Sequence, residues 1–298
     1  MKVPFCFLWV LVPLAACGPG REQSREFNGD SALAYVQTQL AFGPRVPNTE
    51  GHRKTGDWIA ERLTARADTV IVQAFTHVSG KGDTLRLRNF LGRFRPNLAD
   101  RILYVAHWDT RPVSDKAPNL ADQRKPVPGA NDGGSGVALL LGVADALKKR
   151  APAYGVDLLF VDGEDYGDFT EDKDVFLGSR YYVKNLPAGP KPLFAVVFDM
   201  VGDADLQIMQ EGNSRAGAPE VVDRVWVRAE ELGYGRVFRP SVGYTVNDDH
   251  VPLQQAGIRA IDVIDFDYPH WHTPNDTFDK VSARSLAIVG DVAVALTR

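Results

Sequence analysis

The amino-acid sequence predicts an α/β fold whose central sheet is buried on both faces. Three observations lead to this prediction. Apolar, strand-like runs alternate with helical segments along the chain. Several of these runs are apolar at successive positions, which is typical of strands covered by helices on both sides. No internal repeat and no low-complexity segment interrupts the pattern.

Two helices are expected first. The run 28–65 has the periodicity of two helices, with Asp30 or Ser31 as the N-cap of the first and Gly43-Pro44 at its end. The next two runs alternate apolar and polar residues, as paired strands do. Later strand-like runs end in polar residues, and one later helix begins with glycines and ends with Lys and Arg, as the helix dipole favours. The predicted strands are 68–77, 83–94, 101–110, 154–167, 191–203 and 258–269, and the further predicted helices are 134–150, 218–233 and 282–298.

The composition excludes other classes of protein. The chain has 298 residues, of which 44% are hydrophobic and 24% charged, and its formal net charge is -4. These values are ordinary for a globular protein. The length suits one large domain or two small ones, and no change in composition marks a boundary. The mildly acidic balance and the lack of a basic run argue against a nucleic-acid partner.

The segment 1–16 has the pattern of a secretory signal. One lysine precedes an apolar stretch that is too short to span a bilayer and that ends in small residues. The sequence LAAC at its end resembles a bacterial lipoprotein box, which implies that Cys17 carries lipid and anchors the protein to a membrane. An ordinary signal peptide cut near Ala16 is the alternative. The expected location is the bacterial cell envelope at the outer membrane, on its periplasmic or its surface side.

Residues 17–28 are expected to form a tether, and residues 29–298 the folded domain. The sequence contains two cysteines, Cys6 and Cys17, and Cys6 is removed with the signal. The mature domain therefore lacks a disulfide framework. A domain of this size can build a sufficient hydrophobic core without one.

Polar residues cluster at the carboxyl ends of the predicted strands, where α/β sheets bind their ligands. Asp132, Asp165 and His272 offer one nitrogen and two oxygen ligands, which suits a catalytic zinc with an open position. Glu164 and Asp165 are adjacent, so their side chains diverge in extended backbone, and one can bind metal while the other faces substrate as a base. The whole cluster is His107, Asp109, Asp132, Glu164, Asp165, Asp199 and His272.

Each of these residues also has a structural interpretation. Asp132 is placed to cap the helix that follows it. Glu164 and Asp165 can be solvated loop acids, and His272 an ordinary surface histidine. Asp109 is expected to accept the second ring N–H of His107 and fix its tautomer, and a strand-end turn is the alternative.

Eight stretches occur in an order that resembles the zinc aminopeptidase superfamily and, more narrowly, its glutaminyl-peptide cyclotransferase branch. The resemblance extends from about residue 30 to the C-terminus. It implies a single α/β domain with a mostly parallel mixed sheet flanked by helices. The stretches are LAFGPRVPNTEGHRKTGDWI, AHWDTRP, GANDGGSGVALLL, VDGEDYG, FLGSRYYV, FDMVG, DDHVPL and YPHWHTPNDTFDKV.

The resemblance implies roles for the clustered residues. In a two-zinc aminopeptidase, Asp132 would bridge the metals, with Asp165 and His272 completing one site. His107 and Asp199 would complete the other, and Glu164 would be the base. Asp165 departs from the family, which usually has Glu at this position.

The pair Asp248-Asp249 favours the cyclotransferase branch. The aminopeptidases commonly have a small residue such as Ser at the position of Asp248, whereas the cyclotransferases have Asp. The resemblance places Asp248 close to Asp199, and two carboxylates in contact share a proton. A protonated Asp199 is a poor metal ligand, so one zinc is expected and His107 is a relic. Asp249 is expected to point away, and His250 to be structural or to support the site.

Three functions follow from these patterns. The first is zinc-dependent conversion of an N-terminal glutamine of peptides or proteins to pyroglutamate. In this catalytic set Glu164 would be the base, and the Asp199–Asp248 pair would orient Glu164 and hold the tetrahedral intermediate. Trp271 would contact the substrate, or alternatively form only a wall of the core. The second is a two-zinc aminopeptidase. The third is a non-catalytic, membrane-tethered binding domain, whose signature would be missing metal ligands.

Overall fold

The computed structural model describes residues 25–298. The predicted signal 1–16, the lipidation position Cys17 and most of the tether lie outside the described residues, so those interpretations stay predictions. The end of the predicted tether belongs to the folded domain. Phe27 is 5% exposed, and its ring packs against Gly142 and Gly290, where a Cβ atom would collide with it. Within residues 25–298, no helix is both long and apolar enough to cross a membrane.

The described chain alternates between helices and strands, as predicted. A short 3-10 helix, Phe278–Lys280, precedes the last helix. The elements in chain order are α1 Gly29–Ala41, α2 Glu50–Thr64, β1 Thr69–Val78, β2 Thr84–Phe94, β3 Arg101–His107, α3 Leu120–Gln123, α4 Gly134–Lys149, β4 Gly155–Val161, α5 Leu177–Lys184, β5 Phe194–Asp199, β6 Ile208–Glu211, α6 Gly212–Gly217, α7 Pro219–Glu231, β7 Phe238–Tyr244, α8 His250–Gln255, β8 Ala260–Ile264 and α9 Ala283–Ala295.

The central sheet has six strands in the order β1-β2-β4-β3-β5-β8. Strands β4, β3, β5 and β8 are mutually parallel, and β2 pairs antiparallel with both β1 and β4. This is the mostly parallel mixed sheet that was predicted. Every residue of the four parallel strands is buried, because α1, α4 and α9 cover one face and α5 and α8 the other.

Two local predictions need correction. The N-cap of α1 is Asn28, whose side chain accepts a hydrogen bond from the Ser31 backbone N–H at 2.9 Å; the helix begins before Asp30, so neither Asp30 nor Ser31 can cap it. The small parallel sheet of β6 and β7 was not predicted. Strand β6 has only four residues, and β7 contains Pro240 and Gly243, which weaken a strand signal.

Candidate active site

The fold brings the predicted site residues together at one edge of the central sheet. His107 and Asp199 are the last residues of β3 and β5. Glu164 and Asp165 follow β4 directly, and His272 lies in the loop after β8. Because the four strands are parallel, their carboxyl ends meet at this edge.

Asp132 joins two groups of potential metal ligands. We call Asp132, Asp165 and His272 the His272 half-site, and His107, Asp132 and Asp199 the His107 half-site. Within each group, the ligand atoms all lie within 4.8 Å of one another. Asp132 Oδ1 is 3.2 Å from His107 Nε2, whereas Asp132 Oδ2 is 3.8 Å from His272 Nε2. The two oxygens of Asp132 therefore face different half-sites.

The His272 half-site fits a metal ion. His272 Nε2 lies 3.3 Å from Asp165 Oδ1. Asp132 Oδ2 and Asp165 Oδ2 are buried without a hydrogen-bond partner. Buried carboxylate oxygens without a partner cost free energy, and a bound cation would remove that cost. One imidazole nitrogen and two carboxylates form a donor set that zinc accepts.

Asp276 holds Asp132 in place. Its two carboxylate oxygens accept the backbone N–H groups of Asn131 at 2.8 Å and Asp132 at 3.1 Å, and the Tyr268 hydroxyl donates to it at 2.7 Å. Asp132 itself does not cap α4, whose N-cap is Gly133. Asp276 was missed at the sequence level because nothing in a loop motif indicates which acid binds which backbone.

Asp109 contacts a different partner from the one predicted. Its carboxylate is 3.7 Å from His107 Nδ1, which is too long for a hydrogen bond. Instead, the two oxygens accept the backbone N–H groups of Glu164 at 3.0 Å and Asp165 at 3.1 Å. Asp109 therefore positions the adjacent acids rather than the His107 ring.

A pocket of about 200 Å³ opens over both half-sites. Trp271 forms part of its wall rather than of the core, and its ring centroid is 4.0 Å from that of His272 and 5.0 Å from that of Phe266. The pocket is acidic at its base and aromatic on its side. The lining residues include Asp132, Glu164, Asp199, Asp248 and His272 together with Phe169, Ile264, Phe266 and Trp271.

The three acids assigned to catalysis are buried, and burial raises the pKa of each. The pKa of Glu164 is well above its usual range. Burial, reinforced by the charge of Asp199, raises the pKa of Asp248 to about 6. Burial also raises the pKa of Asp199, although His107 opposes the shift. All three carboxyls thus keep a proton up to a higher pH than exposed carboxyls do.

Asp248 lies in the pocket, but it forms no hydrogen bond with Asp199 in the described structure. Its carboxylate belongs instead to a group with His250 and Asp262. The predicted sharing of a proton through direct contact between Asp199 and Asp248 is therefore not seen. The two carboxyls interact through their charges instead. Asp249 is fully buried and does not line the pocket.

His250 and Arg111 support the site from behind. His250 is fully buried, with Nε2 3.2 Å from Glu211 Oε2. Arg111 donates Nη1 to Asp165 Oδ1 at 3.0 Å and pairs with Asp115. Neither residue was given a role from the sequence: Arg111 lies in the stretch AHWDTRP but nothing there indicates its partners, and Asp115 lies in the irregular loop that follows.

Comparison with known proteins places the chain in a family. The sequence profile of peptidase family M28 matches residues 89–297. The chain belongs to peptidase family M28. It is therefore an enzyme of a family of zinc peptidases and glutaminyl cyclases, and every ligand position of both half-sites holds a competent ligand, which argues against a decayed binding domain.

Proteins similar to this chain include both glutaminyl cyclases and peptidases. This M28 chain is 37% identical to Bacteroides thetaiotaomicron glutaminyl cyclase bound to N-acetylhistamine, with a TM-score of 0.87 over 91% of this chain and 97% of that one. A Zn-dependent exopeptidase from Parabacteroides distasonis is also 37% identical, with a TM-score of 0.87 over 91% of this chain and 98% of that one. Aminopeptidase YwaD of Bacillus subtilis is 27% identical over 92% of this chain, which spans 58% of that protein's length.

Proposed function

We propose that this protein is a zinc-dependent glutaminyl-peptide cyclotransferase, which converts an N-terminal glutamine to pyroglutamate and releases ammonia. The observation that carries the proposal is the position of Asp248. This third buried acid joins Glu164 and Asp199 around the pocket, and the pKa of all three is raised. Cyclisation moves a proton from one substrate nitrogen to another, and carboxyls with raised pKa values suit that task near neutral pH.

The reaction needs no external nucleophile. The α-amine of the substrate attacks its own side-chain amide carbon, so the step gains from proximity. The reference pKa of an α-amine is about 7.7, so a modest base suffices. Zinc held by Asp132, Asp165 and His272 would act as a Lewis acid toward the amide carbonyl.

Glu164 is the proposed proton carrier. It takes the proton released when the new C–N bond forms and gives it to the amide nitrogen as the old C–N bond breaks, so that ammonia leaves. Asp109 supports this role, because it holds the backbone of Glu164. Burial keeps the pKa of Glu164 raised, and the negative charges of Asp165, Asp248 and Asp249 reinforce the shift against the opposing charge of His107.

The size of the pocket suits a single residue. Its volume of about 200 Å³ is below the roughly 300–1,000 Å³ of typical drug-sized ligand sites. Trp271 and Phe266 offer apolar surface for the methylene groups of a glutamine side chain. The acids at the base attract the protonated amine of a free N-terminus.

A second candidate is a two-zinc aminopeptidase, in which a metal-activated water would attack the first peptide bond. The geometry of the His107 half-site favours it. His107 Nε2 lies 3.2 Å from Asp132 Oδ1 and 3.1 Å from Asp199 Oδ1. All three residues that the second metal would require are thus grouped.

Mass spectrometry of the products separates the two candidates. The zinc-loaded protein is incubated with a peptide that begins with glutamine, and with matched peptides that begin with leucine or with acetylated glutamine. We expect loss of one ammonia from the first peptide only. Release of free glutamine or leucine would favour the aminopeptidase, and no change in any peptide would overturn both candidates. Acetylation should block either reaction.

A further inference from the structure

We propose that Arg111 and Asp115 form an ion pair that positions Asp165 and His272, the two ligands that belong to the His272 half-site alone. The pair also makes Asp165 a ligand through one oxygen only. This inference rests on the proposed metal role of Asp165 and His272. It assigns a function to two residues that touch neither the substrate pocket nor the metal position. They act through the ligands and are therefore positioning residues.

The contact with Asp165 divides its carboxylate. Arg111 is 6% exposed, and its Nη1 donates to Asp165 Oδ1 at 3.0 Å. Asp165 Oδ2 is buried and has no hydrogen-bond partner. A guanidinium on one oxygen holds the carboxylate in a fixed orientation. Oδ2 therefore keeps all its lone pairs for a cation, whereas Oδ1, which lies 3.3 Å from His272 Nε2, already accepts a hydrogen bond from Arg111.

The contact with Asp115 reaches the second ligand. Arg111 binds Asp115 through two parallel hydrogen bonds, Nε to Oδ1 at 2.8 Å and Nη2 to Oδ2 at 3.1 Å. Asp115 Oδ1 also lies 3.1 Å from His272 Nδ1. A carboxylate beside Nδ1 favours the tautomer that carries its proton there. The lone pair of Nε2 then faces Asp132 and Asp165.

The backbone of His272 is held by the same loop. The Lys116 backbone N–H donates to the His272 carbonyl at 3.2 Å. His272 has a φ of 54°, a left-handed conformation that a non-glycine residue keeps only where its surroundings hold it. Side chain and backbone contacts from residues 115 and 116 therefore fix the ring and the peptide of one ligand.

Phe169 covers this arrangement. Its ring centroid is 5.4 Å from the Arg111 guanidinium carbon and 6.0 Å from the centroid of the His272 ring. The aromatic cover helps to bury Arg111 beside Asp165, and hydrogen bonds to charged groups are stronger where water is excluded. The Arg111–Asp165 contact should therefore be stronger than an exposed ion pair, which contributes little.

The test is metal binding by Arg111→Met, Arg111→Lys and Asp115→Asn. Zinc affinity is measured by competition with a chromogenic chelator, and coordination by the visible absorption of the cobalt-substituted protein. The matched control is Arg259→Met, which removes an exposed arginine from its ion pair with Glu220. We expect Arg111→Met to weaken zinc binding by about 10–100-fold, the usual cost of losing an outer partner of a metal ligand.

The cobalt spectrum addresses the one-oxygen claim. Without Arg111, Asp165 can bind through both oxygens, so the coordination number rises and the visible absorption of cobalt weakens. Arg111→Lys should have a zinc affinity between those of Arg111→Met and the wild type, because the positive charge is kept. Its cobalt spectrum should still differ from that of the wild type, because lysine lacks the planar guanidinium that contacts Asp165 and Asp115 together. Wild-type affinity and an unchanged spectrum in Arg111→Met would overturn the inference.

Asp115→Asn and the zinc content of the wild type provide two further tests of the inference. If Arg111→Met does not fold, Asp115→Asn decides, because that side chain is 39% exposed and its amide preserves the shape of the carboxylate. We expect it to weaken zinc binding at least threefold, and wild-type affinity would contradict the role of the pair. A wild-type chain that binds no zinc would instead overturn the metal centre itself, and the inference with it.

Discussion

The two half-sites have nearly the same ligands but different surroundings. Each combines Asp132 with one histidine and one further aspartate, and in each the ligand atoms lie within 4.8 Å of one another. Behind the His272 half-site lies a buried arginine, which contacts Asp165. In the described part of the chain, the ion-pair partner of Asp199 is His107, and no arginine or lysine contacts it. Asp248 adds a further acid on that side of the pocket.

This difference shows why ligand geometry alone does not decide metal occupancy. A carboxylate beside an arginine is stabilised in its ionised form, which is the form that binds a metal. A carboxylate buried beside other acids tends instead to keep a proton. The His272 half-site is therefore expected to bind zinc more tightly than the His107 half-site, and the acids around the latter remain free to move protons.

Removal of the proposed proton carrier should have the largest effect. Glu164→Gln keeps the shape of the side chain and removes its ability to take a proton. We expect kcat/KM for cyclisation to fall by about 10²–10⁴-fold while zinc stays bound. The control is Glu171→Gln, an exposed acid in the following loop. Loss of zinc in Glu164→Gln would mean that Glu164, and not Asp165, is the metal ligand.

A smaller but more specific change is expected from Asp248→Ser. Without this acid, Asp199 ionises more readily and becomes available to a metal together with His107. We expect cyclisation to fall at least tenfold and a second zinc to bind with increased occupancy. Asp249→Ser is the comparison, because Asp249 lies outside the pocket. Equal, small effects in both variants would remove the main support for the cyclotransferase.

The pH dependence of stability should show the cost of burying Asp248. The pKa of Asp248 is raised to about 6 from an ordinary value of 3.8. The folded chain therefore keeps a proton that the unfolded chain has already lost, and stability declines as the pH rises from about 4 through 6.

This decline can be measured by urea unfolding of the metal-free protein. Relative to Asp248→Asn, the wild type should lose about 2 kcal/mol of unfolding free energy between pH 4 and pH 8. Asp223→Asn, at an exposed acid, should keep the wild-type dependence. A wild-type curve parallel to that of Asp248→Asn would show that Asp248 does not titrate in this range.

The sequence predicted the potential metal ligands of both half-sites better than the residues that hold those ligands in place. His107, Glu164, Asp165 and Asp199 were found because each lies at or just after the end of an apolar strand, and parallel strands end at one edge. Arg111 and Asp115 were not found, because irregular loops bring them to the site. Asp109 was found but given the wrong partner, since spacing along a strand does not reveal a contact with a neighbouring loop.

The central sheet was predictable for a similar reason. Its parallel strands have five to seven residues, are wholly buried and are therefore mostly apolar at successive positions. Strands β6 and β7 carry no such pattern, because β7 is largely exposed and β6 is short. Their pairing depends on tertiary contacts that local sequence does not encode.

The zinc content of the wild-type protein tests the asymmetry of the half-sites most directly. The metal-free protein is dialysed against a small excess of zinc and analysed for metal, beside His107→Ala treated in the same way. We predict about one zinc per chain in both proteins, with cyclisation activity reaching its maximum at the first equivalent of zinc. Two zincs in the wild type, one in His107→Ala, and activity that rises with the second equivalent would contradict the account.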